Sequence, residues 1–213
     1  MSATGPKTLI LVRHGNTFGP SDKTVWAGAR TDLPLVEKGR QQAAQMGQTL
    51  AKLAFRADRF LTGPLLRTRE HADIIADSIG FTGSIEIDEA LCEIDYGAWE
   101  GLSTEEIHAL GGQAALTAWN TGATWPETAG WSPEEDQIKT KTAALLSGLA
   151  KDMQTANALL VTSNGILRFF ARQCANPPAT DALKVRTGHA CKITHDKNEW
   201  RITHWNAPPD QAF

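Results

Sequence analysis

The chain has 213 residues, 41% of them hydrophobic and 21% charged, with a formal net charge of -3. That balance supports a folded core rather than a disordered chain, and it argues against a nucleic-acid binder that works by neutralising phosphates with a basic field. Cys92, Cys174 and Cys191 are odd in number, far apart and in no C-x-x-C spacing, so neither a disulfide framework nor a thiolate zinc site is suggested.

The opening MSATGPK lacks the apolar region of a signal peptide, and no run approaches bilayer length, so a cytoplasmic protein with no membrane partner is expected. Lys7 to Val12 reads as a strand too apolar to have a solvated face, as central parallel strands do. In the stretch TLILVRHGNT it runs straight into Arg13, His14, Gly15, Asn16 and Thr17. Glu37 to Ala54 is helical, because Ala43, Met46, Gly47, Leu50 and Leu53 recur at three- and four-residue steps. Arg59 to Thr62 is a second short strand, Gly63-Pro64 opens a helix reaching about Ile79, and Ser84 to Asp88 is a third strand candidate.

From Ala98 to Ala129, Trp99, Trp119 and Trp125 lie among Gly, Thr and Pro residues, which reads as helical pieces joined by loops. Ser132-Pro133-Glu134-Glu135 has the pattern of a capping box for a helix running to about Met153. Asn157 to Thr162 is another buried strand, ending in Ser163-Asn164-Gly165 before a helix that stops by Pro177. Ala190 to Thr194 and Glu199 to Trp205, joined by the polar HDKN turn, form a closing hairpin. The sum is an α/β fold with three layers, a mainly parallel sheet with helices on both faces. One domain is expected over residues 1–213, with a lid or insert at about 97–133.

In such sheets ligands sit beyond the carboxyl ends of the strands. Three strand ends release polar, loop-forming residues: Arg13-His14-Gly15-Asn16-Thr17, then Thr62-Gly63-Pro64 with Arg67 a turn later, then Ser163-Asn164-Gly165. Two arginines and a histidine can converge there on an anion. The signatures of nucleotide binders, zinc proteases and serine hydrolases (GxGxxG, GxxxxGK[ST], HExxH, GxSxG) are absent from the chain. Acidic residues show no metal-ligand spacing, so no metal and no cofactor are expected.

These residues carry a resemblance. Arg13 to Thr17 after a strand resembles the RHGxT signature of the histidine phosphatase superfamily, the phosphoglycerate-mutase-like fold. Gly28 to Gln42 (GARTDLPLVEKGRQQ) is similar to the family's segment with Asp, Pro-Leu and Gly before a Gln-containing helix. Gly63 to Thr68 (GPLLRT) resembles its SPLxRA block, and Leu91 to Gly101 (LCEIDYGAWEG) its LxExxxGxWEG block. The resemblance covers nearly the whole chain, and four blocks in the expected order make it specific.

The resemblance implies a phosphomonoester hydrolase of the histidine acid type, metal-independent, acting on a small-molecule phosphate ester. It makes His14 the nucleophile that becomes phosphohistidine, Glu93 the proton donor, and Arg13 and Arg67 the ligands of the phosphate oxygens. Asn16, Thr17, Ser163 and Asn164 complete the implied phosphate site. The sequence departs from the family at VTSNGILR, Val161 to Arg168, where Ser163 stands in the place of a second pocket histidine. Two alternatives follow: a catalytically weak member that binds phosphate esters, or a phosphoglycerate-type mutase. IDYGAWEG resembles the phosphatase branches more than the mutase block. His71 and His189 are read as surface or structural histidines, with a compensating phosphate contact as the alternative.

Overall fold

Strands buried on both faces leave no apolar-polar alternation in the sequence, yet their side chains must still divide between two cores. The computed structural model, which describes residues 6–211 and 213, shows that division. Six strands form one sheet: β1 (Lys7–Arg13), β2 (Arg59–Thr62), β3 (Glu86–Ile87), β4 (Asn157–Thr162), β5 (Ala190–Asp196) and β6 (Glu199–Ala207), in the order β3-β2-β4-β1-β5-β6. β3, β2, β4 and β1 are mutually parallel, while β5 lies antiparallel beside β1 and β6 antiparallel beside β5. Ile10, Val12, Leu159 and Val161 pack with Met46 and Leu50 of α1 (Glu37–Lys52) and with Ala72 and Ile75 of α2 (Leu66–Ile79). The intervening Leu9, Leu11 and Leu160 face a larger cluster. That cluster takes in α3 (Thr104–Ala109), α4 (Gln113–Gly122), α5 (Glu135–Lys151) and α6 (Asn164–Arg172) through Ile107, Trp119, Leu146 and Phe170. The expected α/β layering, helices on both faces of a largely parallel sheet, is therefore the fold.

Four boundaries differ from expectation. The second helix begins at Leu66, not at Gly63-Pro64, because the Gly63 N–H still donates to Val161 O at 3.0 Å and prolongs the sheet ladder by one residue. The strand expected over Ser84 to Asp88 shrinks to Glu86–Ile87, an edge strand with both side chains exposed. Ser132 does not cap α5, since its backbone is paired with Asp95 in an isolated antiparallel bridge; Glu134 takes the cap and exchanges hydrogen bonds with Gln137. In the terminal hairpin both strands run longer than expected, leaving only Lys197 and Asn198 in the turn, with φ of 49° and 67°. Two consecutive left-handed residues match the twist of the strands they join.

The parallel arrangement brings the ends of β1, β2 and β4 to one edge. His14 N–H donates to Thr162 O at 3.0 Å, so the loop after β1 begins against the end of β4. Among the described residues no helix is long and apolar enough to cross a membrane.

Candidate functional site

A cleft of about 830 Å³ opens at that edge. Its walls hold Arg13, His14, Asn16, Thr17, Arg67, Glu93 and Asn164, seven of the eight residues singled out in the sequence. Ser163 is the exception. Its side chain is fully buried and its Oγ has no hydrogen-bond partner, so it lies behind the cleft wall. A phosphate oxygen is about the size of a water molecule, and an atom that water cannot touch cannot receive one without rearrangement.

His14 is 6% exposed, with Nδ1 2.8 Å from Gly15 O. A carbonyl only accepts, so the proton of the neutral ring sits on Nδ1 and the lone pair on Nε2. Burial, then the charges of Arg67 and Arg13, push the imidazolium well below its usual 6.5. The ring is thus held neutral in one tautomer, as a nucleophile requires.

The loop that carries His14 is tightly docked. A Cβ on Gly15 would stand 2.4 Å from Gly39 O, and one on Gly39 would stand 2.2 Å from Asn16 O. Only two glycines allow the first turn of α1 to approach so closely, which is why that turn carries Gly39. Asn16 N–H donates to Gln42 Oε1 at 2.9 Å, Gln42 Nε2 reaches Thr187 O at 3.0 Å, and Thr187 Oγ1 donates to Asn16 Oδ1 at 2.6 Å. These bonds pin the Asn16 side chain by its oxygen, leaving the amide N–H₂ for a ligand.

Two guanidiniums reach the cleft, Arg67 buried and Arg13 partly buried, and a third, Arg168, is buried against the cleft-lining Trp119. Arg13 donates to Val185 O at 2.6 Å, and Arg67 to Thr31 O at 2.7 Å and Gly28 O at 3.0 Å. Arg168 donates to Trp119 O at 2.6 Å and lies 4.6 Å from the Trp119 ring centroid. None of the three pairs with a carboxylate among the described residues, and the Nε of each is buried without a partner. Buried charges are normally paired because an isolated one is costly to desolvate. Burial is also the main influence lowering the Arg13 and Arg168 guanidiniums from their usual range.

Glu93 is the buried carboxylate of the cleft. Oε1 accepts from Ile94 N–H at 3.0 Å and Oε2 from Gly165 N–H at 3.2 Å, at the first turn of α6. A Cβ on Gly165 would fall 2.3 Å from Oε1, so the glycine is what lets the helix reach the acid. Burial, then the charge of Glu93, hold the Tyr96 phenol protonated.

The profile of the histidine phosphatase superfamily (branch 1) matches residues 9–208. The chain belongs to that superfamily. A 2,3-bisphosphoglycerate-dependent phosphoglycerate mutase of Rhizobium meliloti is 33% identical over 126 residues, a match that reaches 59% of each chain. The match therefore spans less than two thirds of that relative's length. A probable phosphoglycerate mutase GpmB of Erwinia tasmaniensis is 27% identical over 206 residues, 92% of this chain and 89% of that one. Among solved structures, a mycobacterial glucosyl-3-phosphoglycerate phosphatase in complex with VO3 superposes with a TM-score of 0.79 at 22% identity, covering 94% of this chain and 99% of that one. The alpha-ribazole phosphatase from Shigella flexneri gives a TM-score of 0.75 at 20% identity, covering 97% and 98%. These two likenesses establish the fold.

In this histidine phosphatase superfamily member the tryptophans between residues 97 and 133 divide. Trp119, with Trp26 and Tyr96 from outside that span, lines the cleft, whereas Trp99 and Trp131 pack inside, with Trp125 against them. Trp131 is the hub, with ring centroids 4.8 to 6.2 Å from Tyr96, Trp119, Trp125, Trp99 and Trp26. Sequence reasoning gave no role to Gln42, Thr187, Arg168 or the cleft-lining Lys184; the partners of the first three lie far along the chain.

His71 and His189 are structural, in line with the first reading. His189 Nδ1 meets Asn206 O at 2.9 Å. His71 is fully buried, its Nδ1 accepts from Gly15 N–H at 3.0 Å, and burial lowers it to about 3. His14 is lowered too, so below pH 6.5 the unfolded chain binds protons that the folded one refuses. The stability linked to the His71 shift is fully present above about pH 6.5 and is lost as pH falls towards 3, at a slope of roughly 1.4 kcal/mol per pH unit. Urea unfolding at pH 7.5, 6.5 and 5.5 should show this loss, and His71→Asn should reduce it.

Proposed function

We propose that the protein hydrolyses the phosphomonoester of a small metabolite through a phosphohistidine at His14. The observation that carries this reading is the set of unpaired guanidiniums around a histidine whose Nε2 is left free. No carboxylate among the described residues forms an ion pair with these guanidiniums, and a phosphate would supply that partner. Nε2 attacks phosphorus as the ester P–O bond breaks, and Glu93 gives its proton to the departing oxygen. Water then attacks the phosphohistidine, its proton passes to Glu93, and the P–N bond breaks to release phosphate and restore the neutral ring. Arg13 and Arg67, with the Asn16 amide, stabilise the equatorial oxygens, where most of phosphoryl-transfer catalysis lies. No metal ion enters this scheme.

The test is phosphate release from an aryl phosphate in the presence of chelator, with the phosphoenzyme trapped by an alkaline quench that preserves phosphohistidine. Turnover with label on His14 is the expected result. The buried Ser163 favours one other reading, a protein that holds phosphate esters and scarcely turns them over. That reading gains if the wild type binds phosphate but is inert and Ser163→His turns over. Exchange of the phosphoryl group between positions of a substrate, without net release, would instead indicate mutase chemistry.

A further inference from the structure

Gly15 follows the proposed nucleophile, and a glycine is the residue least able to hold its own backbone in place. The structure fixes it from outside. Of the peptide between His14 and Gly15, the oxygen accepts from Gly188 N–H at 3.1 Å and the N–H donates to His71 Nδ1 at 3.0 Å. Of the peptide between Gly15 and Asn16, the oxygen holds His14 Nδ1 at 2.8 Å and the N–H donates to Gln42 Oε1 at 2.9 Å. Each peptide plane is thus held at both ends, two of the four contacts coming from side chains 26 and 56 residues away in sequence.

We propose that His71 is a positioning residue for His14: by accepting the Gly15 N–H it keeps the two peptides oriented so that the Gly15 carbonyl selects the reactive tautomer of the nucleophile. The proposal rests on the phosphohistidine reading above, and it uses His71 as an acceptor out of reach of substrate. A backbone N–H only donates, so His71 must carry its proton on Nε2, an atom that is buried and has no partner. The chain therefore leaves one buried donor unsatisfied in order to present a lone pair to Gly15, an arrangement unfavourable for stability alone. Without that acceptor the peptide between His14 and Gly15 loses one of its two anchors and can rotate. The His14 ring then loses a fixed partner for Nδ1, and the fraction of molecules with the lone pair on Nε2 and aimed at phosphorus falls.

The test begins with the wild type labelled with ¹⁵N-histidine. NMR should show His71 protonated on Nε2 and His14 on Nδ1; a His71 ring protonated on Nδ1 overturns the proposal without any variant. Next, His71→Leu and His71→Asn are compared, asparagine placing Oδ1 where Nδ1 stands. In His71→Leu, phosphorylation of His14 should slow by roughly 10- to 100-fold, the scale expected for a misplaced reacting group. Inhibition by inorganic phosphate should stay within about threefold, because the arginines are untouched. His71→Asn should recover most of the rate. An unchanged rate in His71→Leu, a loss of phosphate affinity equal to the loss of rate, or no recovery in a folded His71→Asn each overturns the positioning role. If the wild type forms no phosphohistidine, the catalytic reading fails by itself, and the NMR tautomers still judge the His71 contact.

Discussion

His14→Ala is expected to release phosphate from an aryl phosphate roughly ten-thousand-fold more slowly than the wild type, or to fall to background. The covalent route disappears with Nε2, and what remains is the electrostatic pocket acting on direct attack by water. That pocket survives, since Arg13 and Arg67 are held by carbonyls of Val185, Thr31 and Gly28 and not by His14. Inorganic phosphate should therefore bind the variant about as tightly as the wild type, within a few-fold. Folding is not the weak point either. His14 is neutral and buried, so alanine removes a proton-linked penalty, and the loss of stability between pH 7.5 and 5.5 should be smaller than in the wild type. A variant that lost turnover and phosphate affinity together would mean that the ring organises the pocket instead of attacking phosphorus.

Glu93→Gln separates the two half-reactions. Glutamine keeps an oxygen for one of the N–H groups of Ile94 and Gly165, turns its amide N–H₂ towards the other, and has no carboxyl proton to give. For an alkyl phosphate, whose alkoxide cannot leave unprotonated, kcat/KM should fall by about 10² to 10⁴. For nitrophenyl phosphate the leaving group is acidic enough to depart alone, and phosphorylation should slow by less than about tenfold. The second step still lacks its base, so the phosphoenzyme should accumulate. A burst of one nitrophenol per enzyme followed by slow turnover is the expected trace. Equal losses for both esters, with no burst, would assign Glu93 a structural role at the start of α6.

Those expectations rest on residues the sequence exposed well. Strand β1, the loop after it, Arg67 and Glu93 are legible because each sits in a contiguous block with a strand or helix boundary beside it. What stayed hidden is what depends on distance. Gln42 serves the site only because Thr187 is brought to it from 145 residues away. His71 looks like one more helical histidine until Gly15 N–H is seen to meet it. The facing of Leu9 against Ile10 could not be read, because both sides of β1 are buried and both positions are apolar. Ser163 shows the converse. Its place in a motif suggested contact with phosphate, but a position in sequence does not say whether a short side chain reaches the surface of the wall it belongs to. Ser132 misled for a similar reason: the capping pattern is local, and the bridge to Asp95 that overrides it is not.

The aromatic cluster also equips the molecule with an optical reporter. Five of its seven tryptophans, Trp26, Trp99, Trp119, Trp125 and Trp131, lie edge-to-face or tilted with neighbouring centroids no more than 6.2 Å apart. At such separations excitation passes freely among the indoles, and their fixed angles couple the transitions into a strong near-ultraviolet dichroism. Trp26 and Trp119, at the cleft end of the set, would drain emission from the interior rings whenever a ligand changed their surroundings. Occupancy of the cleft by a compound that is never turned over can thus be followed from the protein's own light.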